Sequence, residues 1–137
     1  IDNKLSIFEA LMSINIALAR TPDVVMKKAR PDLIHGTLDL LILQTLEHGP
    51  MHGWAISKHI RHISEDVLEV NQGSLYPALY RLEKRDWIEA EWGISAAGRR
   101  AKFYHVLPAG RAQLALEGDH WREFSKAVNR VLGISQA

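Results

Sequence analysis

The stretch from Asn71 to Trp87 reads NQGSLYPALYRLEKRDW and decides the fold of this chain. Leu75, Leu79 and Leu82 recur at spacings of four and three residues, which places them on one apolar stripe of a helix. The opposite side is small, then hydroxyl-bearing, then cationic: Gly73, Pro77, Tyr80, Arg81 and Lys84, with Ser74 and Tyr76 on its flanks. A helix in a DNA groove needs close approach, hydrogen-bonding groups and phosphate partners. The pattern therefore predicts a recognition helix.

Charge is almost balanced along the 137 residues, with 17 basic and 16 acidic side chains. The distribution of charge is more informative than the sum. Between positions 95 and 111 there are four basic residues and no acidic one: Arg99, Arg100, Lys102 and Arg111. A local basic strip in a neutral protein indicates an anionic partner that binds at one place.

Several classes of protein are excluded by what the sequence lacks. There is no cysteine, hence no disulfide, no thiol nucleophile and no cysteine zinc site. No phosphate-binding loop, nucleophile elbow or paired carboxylates are found, so we expect neither an enzyme nor a cofactor. The histidine spacings favour no metal site. No apolar run reaches about 18 residues, so we expect no membrane-inserted helix, and the lack of cysteine fits a reducing cytoplasm.

Residues 1–31 are interpreted as an N-terminal extension. Residues 3–20 have the apolar spacing of an amphipathic helix, and residues 24–32 are expected to form a polar linker with a basic cluster at Lys27, Lys28 and Arg30. Met26 followed by two lysines also resembles a bacterial translation start. Residues 1–25 are therefore either a genuine extension or an upstream reading of the start.

Two further helices are predicted before the recognition helix. The first begins after Thr37 and is apolar around nearly its whole circumference, and the second covers roughly residues 53–63. A helix that is apolar all round is buried on more than one side. We expect one side to face its own domain and the other, with Leu40 and Leu43, to meet a second chain. Residues 64–70 are expected to be a short extended connection, which gives a helix-turn-helix order.

A two-stranded hairpin is predicted after Trp87. Ile88, Ala90 and Trp92 alternate with glutamates, as in a strand whose apolar side chains point into the core and whose polar ones point out. Tyr104 and Val106 repeat the alternation beyond a glycine-containing tip. Its tip and second strand carry three residues of the basic strip, Arg99, Arg100 and Lys102. The hairpin is interpreted as a wing, which completes a winged helix-turn-helix domain over residues 32–107.

Pro108 suits the first turn of a last helix. Leu114, Trp121 and Val128 follow at intervals of seven, with Phe124 between them, which is the pattern of a coiled-coil-like seam. We expect residues 108–137 to form a dimerisation helix. The predicted fold class is mainly α with a small β-hairpin.

Three runs carry a resemblance to a known family: GTLDLLILQTLEHGPMHGWAI at 36–56, NQGSLYPALYRLEKRDWIEAEW at 71–92 and RRAKFYHVLPAGR at 99–111. Together they resemble the PadR family of bacterial transcriptional regulators, and most nearly its short members with a single C-terminal helix. The similarity extends over about residues 32–132, and QGSLYPAL is its most specific part.

The resemblance implies a bacterial, nucleoid-associated homodimer that binds double-stranded DNA and usually represses a neighbouring gene. Repression is relieved when a small aromatic effector or another signal reaches the dimer interface. With the helical pattern, it assigns nine residues to DNA binding: Ser74, Tyr76, Pro77, Tyr80, Arg81, Lys84, Arg99, Arg100 and Lys102. Six residues are assigned to the effector and dimer interface: Leu40, Leu43, Leu114, Trp121, Phe124 and Val128.

Two positions depart from the family pattern. Asp86 stands where relatives commonly have glycine, and aspartate tolerates the left-handed conformation that ends a helix. Leu107 replaces a threonine that often caps the last helix. Loss of such a cap costs on the order of 1 kcal/mol, which Pro108 offsets in part.

Alternative interpretations exist for each group. Tyr76 and Tyr80 could be ordinary half-buried aromatics, and the basic strip could be a solvated loop. Trp121 fits dimer core better than a ligand pocket, because aromatic residues dominate interface burial. The alternative function is a winged helix used for protein contact, tethered to a membrane or partner by the amphipathic helix at residues 3–20.

Overall fold

In the part of the chain that the structure describes, three short helices enclose an apolar core, and a fourth, longer helix extends from it. The computed structural model describes residues 24–26 and 37–134. Its helices are α1 (Leu38–Leu46), α2 (Gly53–Ile63), α3 (Gln72–Lys84) and α4 (Pro108–Leu132). Its strands are β1 (Val24–Met26), β2 (Met51–His52), β3 (Leu68–Val70), β4 (Ile88–Ile94) and β5 (Arg100–Val106). The predicted class, mainly α with a small hairpin, is confirmed. The helix predicted at residues 3–20 and the basic cluster at 27–30 lie outside the described residues.

The core is built where α1, α2 and α3 meet. The leucine stripe of α3 is confirmed, since Leu75, Leu79 and Leu82 are all fully buried. They pack with apolar side chains of α1 and α2: Leu38, Ile42, Leu43, Leu46, Ile56 and Ile60. The assignment of Leu43 to an interface is therefore wrong, because this side chain is fully buried in the core of its own chain.

Local hydrogen bonds fix where the helices of the helix-turn-helix begin. The His52 Nδ1 atom accepts from the Ala55 N–H at 3.2 Å at the start of α2. The Asn71 Oδ1 atom accepts from the Gly73 N–H at 2.8 Å at the start of α3, an N-terminal cap that supplies a partner for an otherwise unpaired amide. Between them, a turn at residues 64–67 leads into β3, which confirms extended structure only for the end of the connection.

The wing is part of a three-stranded antiparallel sheet in the order β2-β5-β4. Ile88 pairs with Val106, Trp92 with Lys102 and Ile94 with Arg100. The hairpin is thus confirmed. Strand β2 joins it through Met51 and was not predicted, because two residues are too short for a periodic signal.

A second, two-stranded sheet joins β1 to β3 in antiparallel register, with Val24 opposite Val70. The expected polar linker is therefore wrong for residues 24–26. Consecutive β-branched residues at Val24 and Val25 favour extended backbone. Strand β3 directly precedes Asn71, so this pairing holds the backbone just before the helix that the sequence predicts to recognise DNA.

Helix α4 is anchored near its beginning and has only Gly110 fully buried. Pro108 occupies its first turn, as predicted, and the Leu107 N–H donates to the Trp87 carbonyl at 2.9 Å. A Cβ atom at position 110 would stand 2.1 Å from that same carbonyl oxygen, so only glycine fits there. Within residues 24–26 and 37–134, none of the helices combines the length and the apolarity needed to span a membrane.

Candidate nucleic-acid interface

The outward face of α3 carries Gly73, Pro77, Tyr80 and Lys84, the exposed side chains farthest from its buried stripe. Tyr80 is 61% exposed. The Lys84 Nζ atom lies 5.2 Å from the centre of the Tyr80 ring, so the ammonium group and the phenol project together. This face offers an open start, then a hydroxyl group and then a cation, in the order that the sequence indicated.

The flanks of α3 differ from each other. Tyr76 lies on the side of α2, where its ring packs against Gly53. On the other flank Ser74 is half-buried. There the Arg81 Nη2 atom lies 3.4 Å from a carboxylate oxygen of Asp39 on α1. Of the residues predicted to bind DNA on this helix, Arg81 is therefore the one already engaged with a carboxylate of its own chain.

The inner face of the wing is buried at the start of β4 and exposed to solvent toward the tip of the hairpin. Alternation places Ile88, Ala90 and Trp92 on one face of β4, as predicted, and Ile88 is buried. Trp92, however, is 59% exposed. The prediction that it points into the core is wrong, because the hairpin extends beyond the helices that would cover it. Its face instead becomes a wall of a groove.

The indole ring of Trp92 lies close to two cations of the wing. The Arg100 guanidinium carbon lies 4.4 Å from the centre of the indole ring, and the Lys102 Nζ atom lies 5.9 Å from it. Cation–π attraction of this kind is worth about 0.5–1 kcal/mol at an exposed site. Arg99 stands at the tip, where its N–H donates to the Ser95 hydroxyl at 3.3 Å. The three predicted wing cations thus lie on one short hairpin.

The wing, the start of α2 and Tyr76 together enclose a groove of about 760 Å³. Its aromatic and basic lining residues are His52, Trp54, Tyr76, Trp92, Tyr104, Arg99, Arg100 and Lys102. None of the described residues lining it is acidic. Cations with aromatic rings and without carboxylates form a surface complementary to a phosphate backbone.

Sequence reasoning missed the outward face of α2. Trp54 is exposed there, and the Lys58 Nζ atom lies 4.8 Å from the centre of its ring. The Gln72 side-chain amide donates to the Ser57 hydroxyl at 2.8 Å, which ties α2 to the start of α3. In helix-turn-helix proteins the first helix of the motif crosses the DNA backbone. The i, i+4 spacing of Trp54 and Lys58 was the available signal.

A second, apolar groove of about 490 Å³ lies between α1 and α4. It brings together three predicted interface residues, Leu40, Leu114 and Trp121, and Phe124 lines an adjoining depression beside Trp121. Trp121 is 42% and Phe124 61% exposed, and their ring centres are 6.0 Å apart. Val128 is exposed one turn farther along α4, and Leu43 takes no part in either lining.

Two histidines near the end of α1 form a close pair. The ring centres of His48 and His59 are 5.0 Å apart. Burial lowers the pKa of His59, and positive charge on His48 and His62 lowers it further. In the part of the chain that the structure describes, no three candidate ligands gather around a common point.

Known proteins resemble this chain in sequence and in fold. The family model "Transcriptional regulator PadR-like family" matches residues 42–116. An uncharacterized protein X of Lysinibacillus sphaericus is 30% identical over 100 residues, which cover 73% of this chain and 92% of that protein. A transcriptional regulator from Clostridium thermocellum superposes with a TM-score of 0.66 at 30% identity, covering 72% of this chain and 96% of its own.

A PadR family regulator from Clostridium difficile superposes with a TM-score of 0.62 at 31% identity, over 71% of this chain and 99% of that one. The family model covers more than half of the 137 residues. The chain, with its winged helix and its basic, aromatic groove, therefore belongs to the PadR-like family of transcriptional regulators.

Proposed function

We propose that this regulator is a homodimeric repressor that places α3 in the major groove of its operator and its wing on the flanking phosphates. The observation that carries the proposal is the groove between α3, α2 and the wing, with its cations, aromatic rings and lack of acidic lining residues. The partner subunit reads a second half-site about one helical turn away. Ser74 to Lys84 meet bases and phosphates, and Arg99, Arg100 and Lys102 meet phosphates.

Dimerisation is supported by the apolar stripe of α4. Trp121, Phe124, Val128, Val131 and Leu132 are exposed large apolar side chains on one side of this helix. An exposed stripe of this extent marks an interaction surface. The seven-residue spacing from Leu114 through Trp121 to Val128 favours a second copy of the same helix as its partner.

The groove between α1 and α4 supports an effector site. Its volume of about 490 Å³ falls within the usual range for small-molecule pockets, roughly 300–1,000 Å³. Leu40, Leu41 and Leu114 supply apolar walls and Trp121 a ring for stacking. A planar aromatic compound fits this lining. Because the groove adjoins the dimer stripe, its occupation changes the angle between the two subunits and hence the spacing of their wings.

DNA binding is tested with a duplex from the region upstream of the protein's own gene. Fluorescence anisotropy in a salt series should show affinity falling steeply from low to physiological salt. Tyr80→Ala should change sequence preference. Arg100→Ala should weaken all duplexes alike and reduce the salt slope by about one. Unchanged affinity in both variants would show that the proposed surface is not the one that binds.

The dimer and the effector need separate measurements. Phe124→Glu should convert the dimer to a monomer in analytical ultracentrifugation, whereas Leu116→Glu, on α4 but off the stripe, should leave it dimeric. Planar aromatic compounds should quench tryptophan fluorescence and weaken DNA binding. Because the chain has four tryptophans, Trp121→Phe identifies the one that responds. A compound that quenches Trp121→Phe as strongly as the unaltered protein binds elsewhere.

A further inference from the structure

Asp39 is the carboxylate that faces the cations of α3. It lies on α1, and its two carboxylate oxygens are 3.4 Å from Arg81 Nη2 and 3.9 Å from Arg85 Nη1. Both arginine side chains are about half exposed, while the Asp39 side chain is only 23% exposed. One partly buried acid therefore engages two cations at the end of the recognition helix, and one of these, Arg81, is a predicted DNA contact.

Stability alone does not explain this arrangement. Burial raises the pKa of Asp39, and negative charge on Glu117 of α4 raises it further, against the lowering effect of Arg81 and Arg85. Burial and Glu117 together thus outweigh the favourable effect of Arg81 and Arg85 on the charged carboxylate. Ion pairs of this kind are often neutral or unfavourable for folding. An amide at this position loses the favourable negative charge at the first turn of α1 and should still fold.

Competition between Asp39 and DNA phosphates for the two arginines does explain the arrangement. A phosphate group offers an arginine the same kind of charged, hydrogen-bonding oxygen that a carboxylate offers. Arg81 and Arg85 lie along one flank of α3, next to the outward face that carries Tyr80 and Lys84. Their half-exposed side chains leave them free to exchange a carboxylate for a phosphate without a change in the backbone.

We propose that Asp39 is a positioning residue that binds Arg81 and Arg85 in the free protein and is replaced by phosphate groups when DNA binds. Because this ion pairing competes with DNA, Asp39 lowers the affinity for DNA. This inference rests on the proposed binding of DNA through α3. Asp39 also adjoins the effector groove, since its neighbour Leu40 lines that groove and Glu117 lines the adjoining depression. A change in the packing of α1 against α4 therefore reaches the recognition helix through one carboxylate.

The test compares Asp39→Asn with a matched control at the C-terminal end of the same helix. Glu47→Gln also removes one negative charge from the α1 region, but Glu47 pairs with Arg111 of α4 at 2.9 Å, away from α3. Asp39→Asn should bind the upstream duplex about three- to tenfold more tightly at low salt, with a slope steeper by roughly one to two phosphate contacts. Glu47→Gln should show only the smaller effect of net charge.

A double-mutant cycle identifies the route. In a background of Arg81→Gln and Arg85→Gln, Asp39→Asn should no longer increase affinity. Equal affinities for Asp39→Asn and Glu47→Gln, weaker binding by Asp39→Asn, or an increase that persists without the two arginines would each overturn the inference. Failure of the unaltered protein to bind any duplex at low salt is a different result, because it rejects the proposed function and the inference with it.

Discussion

The ring of Tyr76 closes over Gly53, so that a Cβ atom at position 53 would stand 2.7 Å from the Tyr76 Cε1 atom and 2.8 Å from its hydroxyl oxygen. Gly53→Ala should therefore push the end of the Tyr76 side chain into the groove beside the wing. Because only the tip of a flexible side chain must move, the free energy of unfolding should change little, while DNA affinity falls severalfold. Chemical denaturation and anisotropy measure the two effects.

The control for this contact is a second alanine. In a Tyr76→Ala background, Gly53→Ala meets no ring and should leave DNA affinity where Tyr76→Ala alone puts it. A further loss in that background would mean that Gly53 contributes through its own backbone rather than through the position of Tyr76.

Trp92 should matter for DNA binding although it is uncharged. Trp92→Ala removes the ring that lies 4.4 Å from the Arg100 guanidinium, so affinity should fall about two- to fivefold, the equivalent of 0.5–1 kcal/mol. Trp92→Phe keeps a smaller ring and should lose less. Anisotropy measures both, and the loss should shrink when Arg100 is already alanine. An equal loss in both backgrounds would indicate that the indole itself touches DNA.

Two glycines of α4 should respond in opposite directions. Gly110→Ala brings a methyl group to 2.1 Å from a backbone carbonyl and should destabilise the fold by about 1–3 kcal/mol or more, as overpacking does. At Gly118 the nearest atom to a new Cβ is 3.7 Å away, on the Arg122 side chain. Gly118→Ala should therefore stabilise the helix by up to about 1 kcal/mol. Urea denaturation compares them, and a stable Gly110→Ala protein would contradict the close contact.

Asp86 ends α3 in the left-handed region, with a φ of 58°, as its position in the family pattern led us to expect. Asp86→Gly removes the steric cost of that conformation and should raise the free energy of unfolding by up to about 1 kcal/mol. Asp86→Ala should lower it instead. Thermal denaturation of the three proteins gives the order, and a glycine variant less stable than the alanine variant would refute the backbone explanation.

His59 should make the fold sensitive to mild acid. Its pKa is lowered in the folded state, chiefly by burial and then by His48 and His62, so the unfolded chain binds this proton more readily. Stability should therefore fall as the pH drops through about 6.5, the ordinary value for histidine. His48→Gln should raise the pKa of His59 in an NMR titration and reduce the acid loss. An unchanged midpoint for His59 would rule out the contribution of His48.

The elements that sequence predicted well are those whose periodicity reports burial directly. Leu75, Leu79 and Leu82 share one face at helical spacing, and nothing else in the fold can reverse which side of α3 is apolar. Pro108 likewise marks a helix start through its own fixed backbone angle. Recognition of the family then assigned individual residues of α3 and of the wing to DNA binding.

Tertiary relationships could not be predicted in the same way. Alternation placed Trp92 on the core face of β4 correctly, but it cannot say how far the core extends beneath that face. An all-round apolar α1 does not reveal that Leu43 faces inward while Leu40 lines a groove. The contacts of Asp39 with Arg81 and of Gly53 with Tyr76 join residues from different elements, so no local pattern encodes them.

The long α4 also has the geometry of a lever. It has 25 residues, which at 1.5 Å per residue makes it about 37 Å long, and its buried hold on the body lies at Gly110, near one end. A tilt of roughly 10° at that fulcrum moves the far end by about 6 Å, close to one helical turn. In the proposed dimer, small rearrangements beside Trp87 and Gly110 would thereby become displacements large enough to bring two wings into or out of step with DNA.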